Sequence, residues 1–297
     1  MSKLKPTIFT GAATAIITPF KNGLIDKPNF KNIIEDQIAN DIDAIVVAGT
    51  TGEAATLTHE EHMDCMKFVV DKVAGRVPVI AGTGSNDTAY GIELSKYACD
   101  VGADALLLVT PYYNKATPKG LIKNFIETAE ATDKPIILYN VPSRTGCNIS
   151  LAAYKELAKH ERIVAVKEAS GKIDQIDQII KNRPEDFLVL SGDDGMTVDV
   201  MRKGGDGVIS VAVNSFPKKF SRVVNLAKQG LFDEADKAYE PLHEAVCALF
   251  EQGNPVGVKA ALTILGQIEN VLRLPLVPGT DLLMKKMERL IREYELC

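Results

Sequence analysis

The chain predicts an α/β fold, a (β/α)8 TIM barrel followed by a C-terminal helical region, and three observations predict it. Eight short, largely β-branched apolar runs recur, each about 20 to 35 residues after the last. Amphipathic, helix-patterned stretches fill the intervals, and alternating strand and helix call for a parallel sheet whose neighbours are joined by crossovers. From about Ser221 the strand pattern stops and only helical patterning remains. Eight repeats within roughly 220 residues favour closure into a barrel. An open doubly wound sheet usually has fewer strands in one domain, and no GxGxxG follows the first strand here.

Taken in order, the runs open near Ala12, Ala44, Pro78, Ala105, Pro135, Ile163, Phe187 and Gly207. Between them the helical pattern is plainest over Phe30 to Asn40, Glu60 to Val73, Thr88 to Val101 and Gly120 to Thr132. Gly204-Gly205-Asp206-Gly207 reads as a turn, since barrel phosphate loops follow the late strands and do not precede them. Beyond the last strand, helices are expected over Ser221 to Lys228, Phe232 to Phe250, Pro255 to Leu265 and Thr280 to Tyr294. Gly253-Asn254-Pro255 and Leu274-Pro275-Leu276-Val277-Pro278-Gly279 mark the turns among them. The expected division is a catalytic barrel over 1–220 and a helical region over 221–297, with no low-complexity linker between. The helical region is therefore expected to pack on the barrel or to support oligomerisation.

Composition narrows the function classes. The 297 residues are 46% hydrophobic, enough for a full core, and carry a formal net charge of −5. That acidity argues against nucleic acid or an anionic membrane as partner, since both require a basic patch. The start, Met1 to Pro6, has no long apolar run, and no later stretch approaches a membrane span, so a soluble cytoplasmic protein is expected. Cys65, Cys99, Cys147, Cys247 and Cys297 are scattered without CxxC pairing, which suits reduced thiols and neither a disulfide framework nor a zinc site.

The unusual side chains gather at the carboxyl ends of the strands: Gly49-Thr50-Thr51-Gly52-Glu53, Gly82-Thr83-Gly84-Ser85-Asn86, Thr110-Pro111-Tyr112-Tyr113-Asn114, Tyr139 to Gly146, Lys167-Glu168 and Ser191 to Asp194. In a barrel those ends form one face, the face that carries active sites. Lys167 ends an otherwise apolar strand. Burial disfavours its charged form, and a neutral amine can attack a ketone or aldehyde to form a Schiff base. A lysine just past the strand end would instead reach solvent. Alternate residues share a direction, so Ile137 goes with Tyr139 and Ala165 with Lys167; if both pairs point inward, Tyr139 and Lys167 meet. Arg144, in a Pro- and Gly-containing loop, is a candidate fork for a carboxylate or a surface ion pair. His59 and His62 start a helix at i, i+3, but the pattern is not HExxH and no third ligand follows by spacing, so no metal site is expected.

With those residues in place, the chain resembles the dihydrodipicolinate synthase family of pyruvate-dependent aldolases over essentially its whole length. The marks are Gly49-Thr50-Thr51-Gly52-Glu53, Thr110-Pro111-Tyr112-Tyr113-Asn114, Tyr139 to Gly146 and Val166-Lys167-Glu168-Ala169. The resemblance implies a homotetramer built from tight dimers that condenses pyruvate with L-aspartate 4-semialdehyde in lysine and diaminopimelate synthesis, with no cofactor beyond the Lys167 Schiff base. It implies catalytic roles for Lys167, Tyr139, Thr50 and Tyr113, the last entering the neighbouring subunit's site. It further implies pyruvate holding by Thr51 and the backbone near Ile209, and carboxylate binding by Arg144. An allosteric lysine site would involve Ala54, His59, His62, Asn86, Tyr90 and Tyr112. Ala54 stands where a serine is common and Tyr90 where a glutamate is common, so weak or absent lysine inhibition is expected. The alternatives are a sugar-acid aldolase, a metal-dependent aldolase built on His59 and His62, and a non-catalytic acid-binding barrel.

Overall fold

The computed structural model describes residues 5–296, so the first four residues, on which the expectation of no export signal partly rests, and Cys297 lie outside the described part. Eight parallel strands close into a barrel: β1 (Gly11–Ala15), β4 (Ala44–Val47), β5 (Val79–Gly82), β6 (Ala105–Val109), β7 (Ile136–Asn140), β8 (Ile163–Glu168), β9 (Leu188–Ser191) and β10 (Gly207–Ser210). Each starts within two residues of a predicted run. A small antiparallel hairpin, β2 (Phe20–Lys21) with β3 (Leu24–Ile25), lies between β1 and β4 and is absent from the sequence reading. Two-residue strands are too short to display a period of two.

The crossovers and the flanking layer are helical: α1 (Lys27–Ala39), α2 (His59–Val73), α3 (Thr88–Asp100), α4 (Pro118–Ala131), the short α5 (Pro142–Thr145), α6 (Leu151–Leu157), α7 (Ile173–Asn182), α8 (Thr197–Arg202) and α9 (Pro217–Lys228). Most begin on a side chain that accepts an otherwise unpaired amide of the first turn. Thr58 does so at α2, where Glu61 reciprocates onto the Thr58 amide, and Asp87, Thr117 and Ser150 do so at α3, α4 and α6. The remaining helices are α10 (Phe232–Glu251), α11 (Val256–Ile264) and α12 (Asp281–Glu293); α10 packs on α9 and α11 packs on α12.

At the amino-terminal end of the barrel three aspartates hold the seams. Asp43, Asp104 and Asp206 each precede a strand, and their carboxylates accept the amides of Ala12, Val79 and Val189 on the neighbouring strand at 2.8, 2.8 and 2.7 Å. Each thereby satisfies an amide in the first two residues of its strand that closure would otherwise bury unpaired.

Two apolar cores follow from strand alternation. Ala13, Val46, Ile80, Ile137, Ala165 and Ile209 face the barrel interior, while Ala12, Ile45, Leu106, Leu138 and Val166 pack outward under the helices. One irregularity interrupts the alternation. Ile136 pairs with Ile163 but Ile137 pairs with Ala165, so Val164 is an extra residue in β8. Ile163 faces outward and both Val164 and Ala165 face inward. Because one residue of slip exchanges the two faces of a strand, this bulge turns Lys167 into the barrel and Glu168 out of it.

Candidate active site

Lys167 and Tyr139 are register partners at the carboxyl ends of β8 and β7. The Lys167 Nζ lies 4.3 Å from the Tyr139 ring centroid. Both side chains are buried, at 5% and 6% exposure. The lysine stem lies against Gly192, where an added Cβ would come within 3.1 Å of its Cγ and Cε and 2.8 Å of the Ala169 Cβ. Only glycine leaves room there, so the turn just after β9 sets the path of the amine. Among the described residues no carboxylate lies within ion-pairing distance of this Nζ. The amine therefore has an aromatic wall, a fixed stem and no counter-ion, an arrangement suited to a nucleophile.

Glu168, the next residue, is fully buried on the opposite face of β8. Its carboxylate accepts from the Tyr154 hydroxyl at 2.6 Å, from Asn140 Nδ2 at 3.1 Å and from the Ser170 amide at 2.9 Å. Burial, with the Glu168 charge beside it, holds the Tyr154 phenol well above the ordinary tyrosine range, so it remains a donor. Asn140 also accepts the Ile149 amide at 3.1 Å. This network locks the ends of β7 and β8 together from outside the barrel, directly behind the Tyr139–Lys167 pair. Sequence reading missed it because a Glu beside a Lys at a strand end resembles a solvated pair.

Thr50 and Thr51 sit in a tight turn after β4, where the Gly52 and Glu53 amides donate back to Gly49 and Thr50 carbonyls, both at 3.1 Å. Thr50 is half-buried, whereas Thr51 is buried and its hydroxyl accepts from Asn254 Nδ2 at 3.0 Å. Asn254 also receives Arg144, whose guanidinium donates to its carbonyl at 3.2 Å. Arg144 itself is exposed, on α5 at the rim. Asn254 thus joins two predicted substrate-binding residues from a turn in the C-terminal region, and nothing in the pattern Gly253-Asn254-Pro255 beyond a turn signal pointed to it. Ile209 is buried, on β10 and in the same interior layer as Tyr139.

Tyr113 is placed differently. It is 90% exposed and holds a left-handed backbone at φ 71°, so within one chain it does not join Tyr139 and Thr50. Its neighbour Tyr112 is also exposed. The loop that carries them is tied down by Asn114, which donates to the Asn86 carbonyl at 2.8 Å.

The residues of the predicted allosteric group lie on α2, α3 and the adjoining turns. His59 Nδ1 is 3.4 Å from the Tyr90 hydroxyl, and its Nε2 is 3.5 Å from the carboxylate of Glu93, one turn along α3. His62 is buried with Nε2 on the Gly82 carbonyl at 2.8 Å; burial pushes its pKa down, so the imidazole is neutral there. Ala54 opens a short 3-10 turn after Glu53. The two histidines thus answer to different partners. Among the described residues no group of three or more His, Cys, Asp or Glu is arranged to hold a metal ion.

Comparison with known proteins gives the chain's relatives. Residues 8–294 match the model of the dihydrodipicolinate synthetase family. The chain is 46% identical over 293 residues to the 4-hydroxy-tetrahydrodipicolinate synthase of Acetivibrio thermocellus, covering 99% of this chain and 100% of that one. It is 45% identical to the protein of the same name from Syntrophus aciditrophicus, covering 97% and 99%. Among solved structures, the dihydrodipicolinate synthase of Aquifex aeolicus superposes with a TM-score of 0.95 at 44% identity, over 97% of this chain and 99% of that one.

Proposed function

The chain belongs to the dihydrodipicolinate synthetase family, and from that premise we propose that it condenses pyruvate with L-aspartate 4-semialdehyde to 4-hydroxy-tetrahydrodipicolinate, with Lys167 as the nucleophile. The observation that carries this reading is the buried Lys167 Nζ, 4.3 Å from the Tyr139 ring and without a carboxylate partner among the described residues.

Lys167 Nζ adds to the keto carbon of pyruvate, and loss of water leaves an imine. Its cationic nitrogen withdraws electrons, so a methyl proton leaves to give an enamine. The enamine carbon attacks the aldehyde of the second substrate, whose oxygen takes up a proton. That substrate's amine then adds to the imine carbon and expels Lys167, closing the ring and restoring the free amine. Tyr139 is the group beside the nitrogen that can give and take these protons. An unperturbed phenol is too weakly acidic to do so unaided, which supports a relay through Thr50 and Tyr113. Thr51 and the Ile209 backbone hold the pyruvate carboxylate, and Arg144 at the rim receives the carboxylate of the semialdehyde.

The exposed, backbone-strained Tyr113 supports a dimer in which it enters the partner's site, and a homotetramer of two such dimers completes the reading. No helix among the described residues is long and apolar enough to cross a membrane, which accords with a cytoplasmic location. The test is borohydride reduction in the presence of pyruvate. Wild type should gain a pyruvate-derived adduct on Lys167, and Lys167→Ala should gain none; an unmodified wild type would favour a mere binder.

A further inference from the structure

The turn that carries Thr50 and Thr51 is bracketed by two non-glycine residues in the left-handed region, Ala48 at φ 54° and Glu53 at φ 55°. Such conformations persist only where the surroundings enforce them. At Ala48 the enforcement is steric, because Gly82 of β5 presses so close that a Cβ there would stand 2.3 Å from the Ala48 carbonyl oxygen. At Glu53 the Thr56 amide and hydroxyl donate to the backbone carbonyl at 3.0 and 3.1 Å, and an ionic tie on the side chain adds to them. The Glu53 carboxylate is buried and pairs with Lys259 of α11, whose side chain is fully buried. It also accepts the Arg273 amide at 3.0 Å.

Lys259 spends its other contacts on the same structure, donating to the Val271 carbonyl at 3.0 Å and lying 4.3 Å from the Phe20 ring centroid. Arg273 stacks 4.4 Å from the same ring and pairs with Glu61 of α2. Burial pushes the Lys259 ammonium down to about 8, with Glu53 opposing and Arg273 assisting. A buried ion pair gains little stability over apolar residues of the same shape, because desolvating two charges offsets most of their attraction. Its value here must lie in what it holds in place.

We infer that the Glu53–Lys259 pair is a positioning device for Thr50 in the condensation, an inference that rests on the catalytic reading of Thr50 given above. The geometry separates the two threonines. The Thr51 hydroxyl has its own tie to Asn254. Thr50 is held through its carbonyl, which accepts the amide of Glu53 at 3.1 Å. Slackening Glu53 therefore moves the proton-transferring hydroxyl and leaves the pyruvate-holding one in place.

The discriminating variant is Glu53→Gln combined with Lys259→Met, which removes both charges and keeps both shapes. Sites competent in imine formation are counted by borohydride trapping with pyruvate, and kcat is expressed per trapped site. The expected result is a fall of about tenfold or more in kcat per trapped site, with pyruvate KM within about twofold of wild type. A kcat per trapped site within about twofold of wild type would assign the pair to folding alone and overturn the inference. A kcat fall accompanied by an equal rise in pyruvate KM would transfer the effect to Thr51 and overturn it equally. If the double variant does not fold, Glu53→Gln alone, which keeps one acceptor oxygen and replaces the other with an amide NH2, is judged by the same outcomes. Failure of wild type to trap pyruvate would count against the catalytic reading itself, and is seen before any variant is measured.

Discussion

Lys167 and Lys259 are both buried lysines, and they differ in what stands opposite the ammonium. Lys259 faces a carboxylate, a carbonyl and an aromatic ring, so every direction open to its charge is matched. Lys167 faces the Tyr139 ring, its stem is fixed by Gly192, and no carboxylate answers it among the described residues. The lesson is that burial alone does not make a lysine reactive. A lysine tied to a carboxylate is a rivet, whereas one with no counter-ion at the mouth of the barrel has its nitrogen placed to meet a carbonyl carbon.

Exchange of the two roles is the severest test of that contrast. Lys167→Ala should abolish turnover and pyruvate trapping while the melting temperature stays within a few degrees, whereas Lys259→Met should still trap pyruvate at Lys167; residual turnover by Lys167→Ala in a coupled assay would break the comparison. Next in size is Tyr139→Phe, which keeps the aromatic wall and removes the hydroxyl. It should lower kcat by about a hundredfold or more while trapping persists, as expected for loss of a general acid–base group; an unchanged kcat would move proton transfer elsewhere. At the exposed rim, Arg144→Ala should raise KM for the semialdehyde by about ten- to a hundredfold and leave pyruvate KM unchanged, the scale of one lost charged hydrogen bond.

A pH measurement sharpens the matched side. The Lys259 pKa of about 8 lies below its ordinary 10.5, so between those values the unfolded chain binds more protons than the folded one. The cost of burying the charge is present in full below pH 8 and is relieved as pH rises towards 10.5. Denaturant titrations should accordingly show wild type gaining stability relative to Lys259→Met from pH 8 to 10; a flat or falling difference would refute the shift. The smallest expected effect concerns the α2–α3 group. If the family resemblance holds at Tyr90, where a glutamate is common, L-lysine at micromolar concentration should leave the rate unchanged, and inhibition in that range would refute that expectation.

Much of this molecule is legible without coordinates. Strand starts, the helical C-terminal region and the clustering of polar residues at the carboxyl ends of strands come from period and turn chemistry, which are local properties of the chain. The direction of Lys167 does not. Ala165 and Lys167 share a face by alternation, but which face depends on Val164 being the extra residue between Ile163 and Ala165, and a bulge is settled by how β8 meets β7. Asn254 lies more than a hundred positions from either Thr51 or Arg144, and Lys259 lies as far from Glu53, so no local pattern links them.

The sequence by itself determined the barrel, the chemistry available at its mouth and the family, because repeat spacing and residue type are written along the chain. Tertiary structure alone decided which lysine has a counter-ion, which face β8 turns inward, and which residues of the C-terminal region brace the Thr50–Thr51 turn. Those outcomes depend on electrostatic and steric partners brought together across the fold, and the energy of a buried charge is set by its neighbours in space.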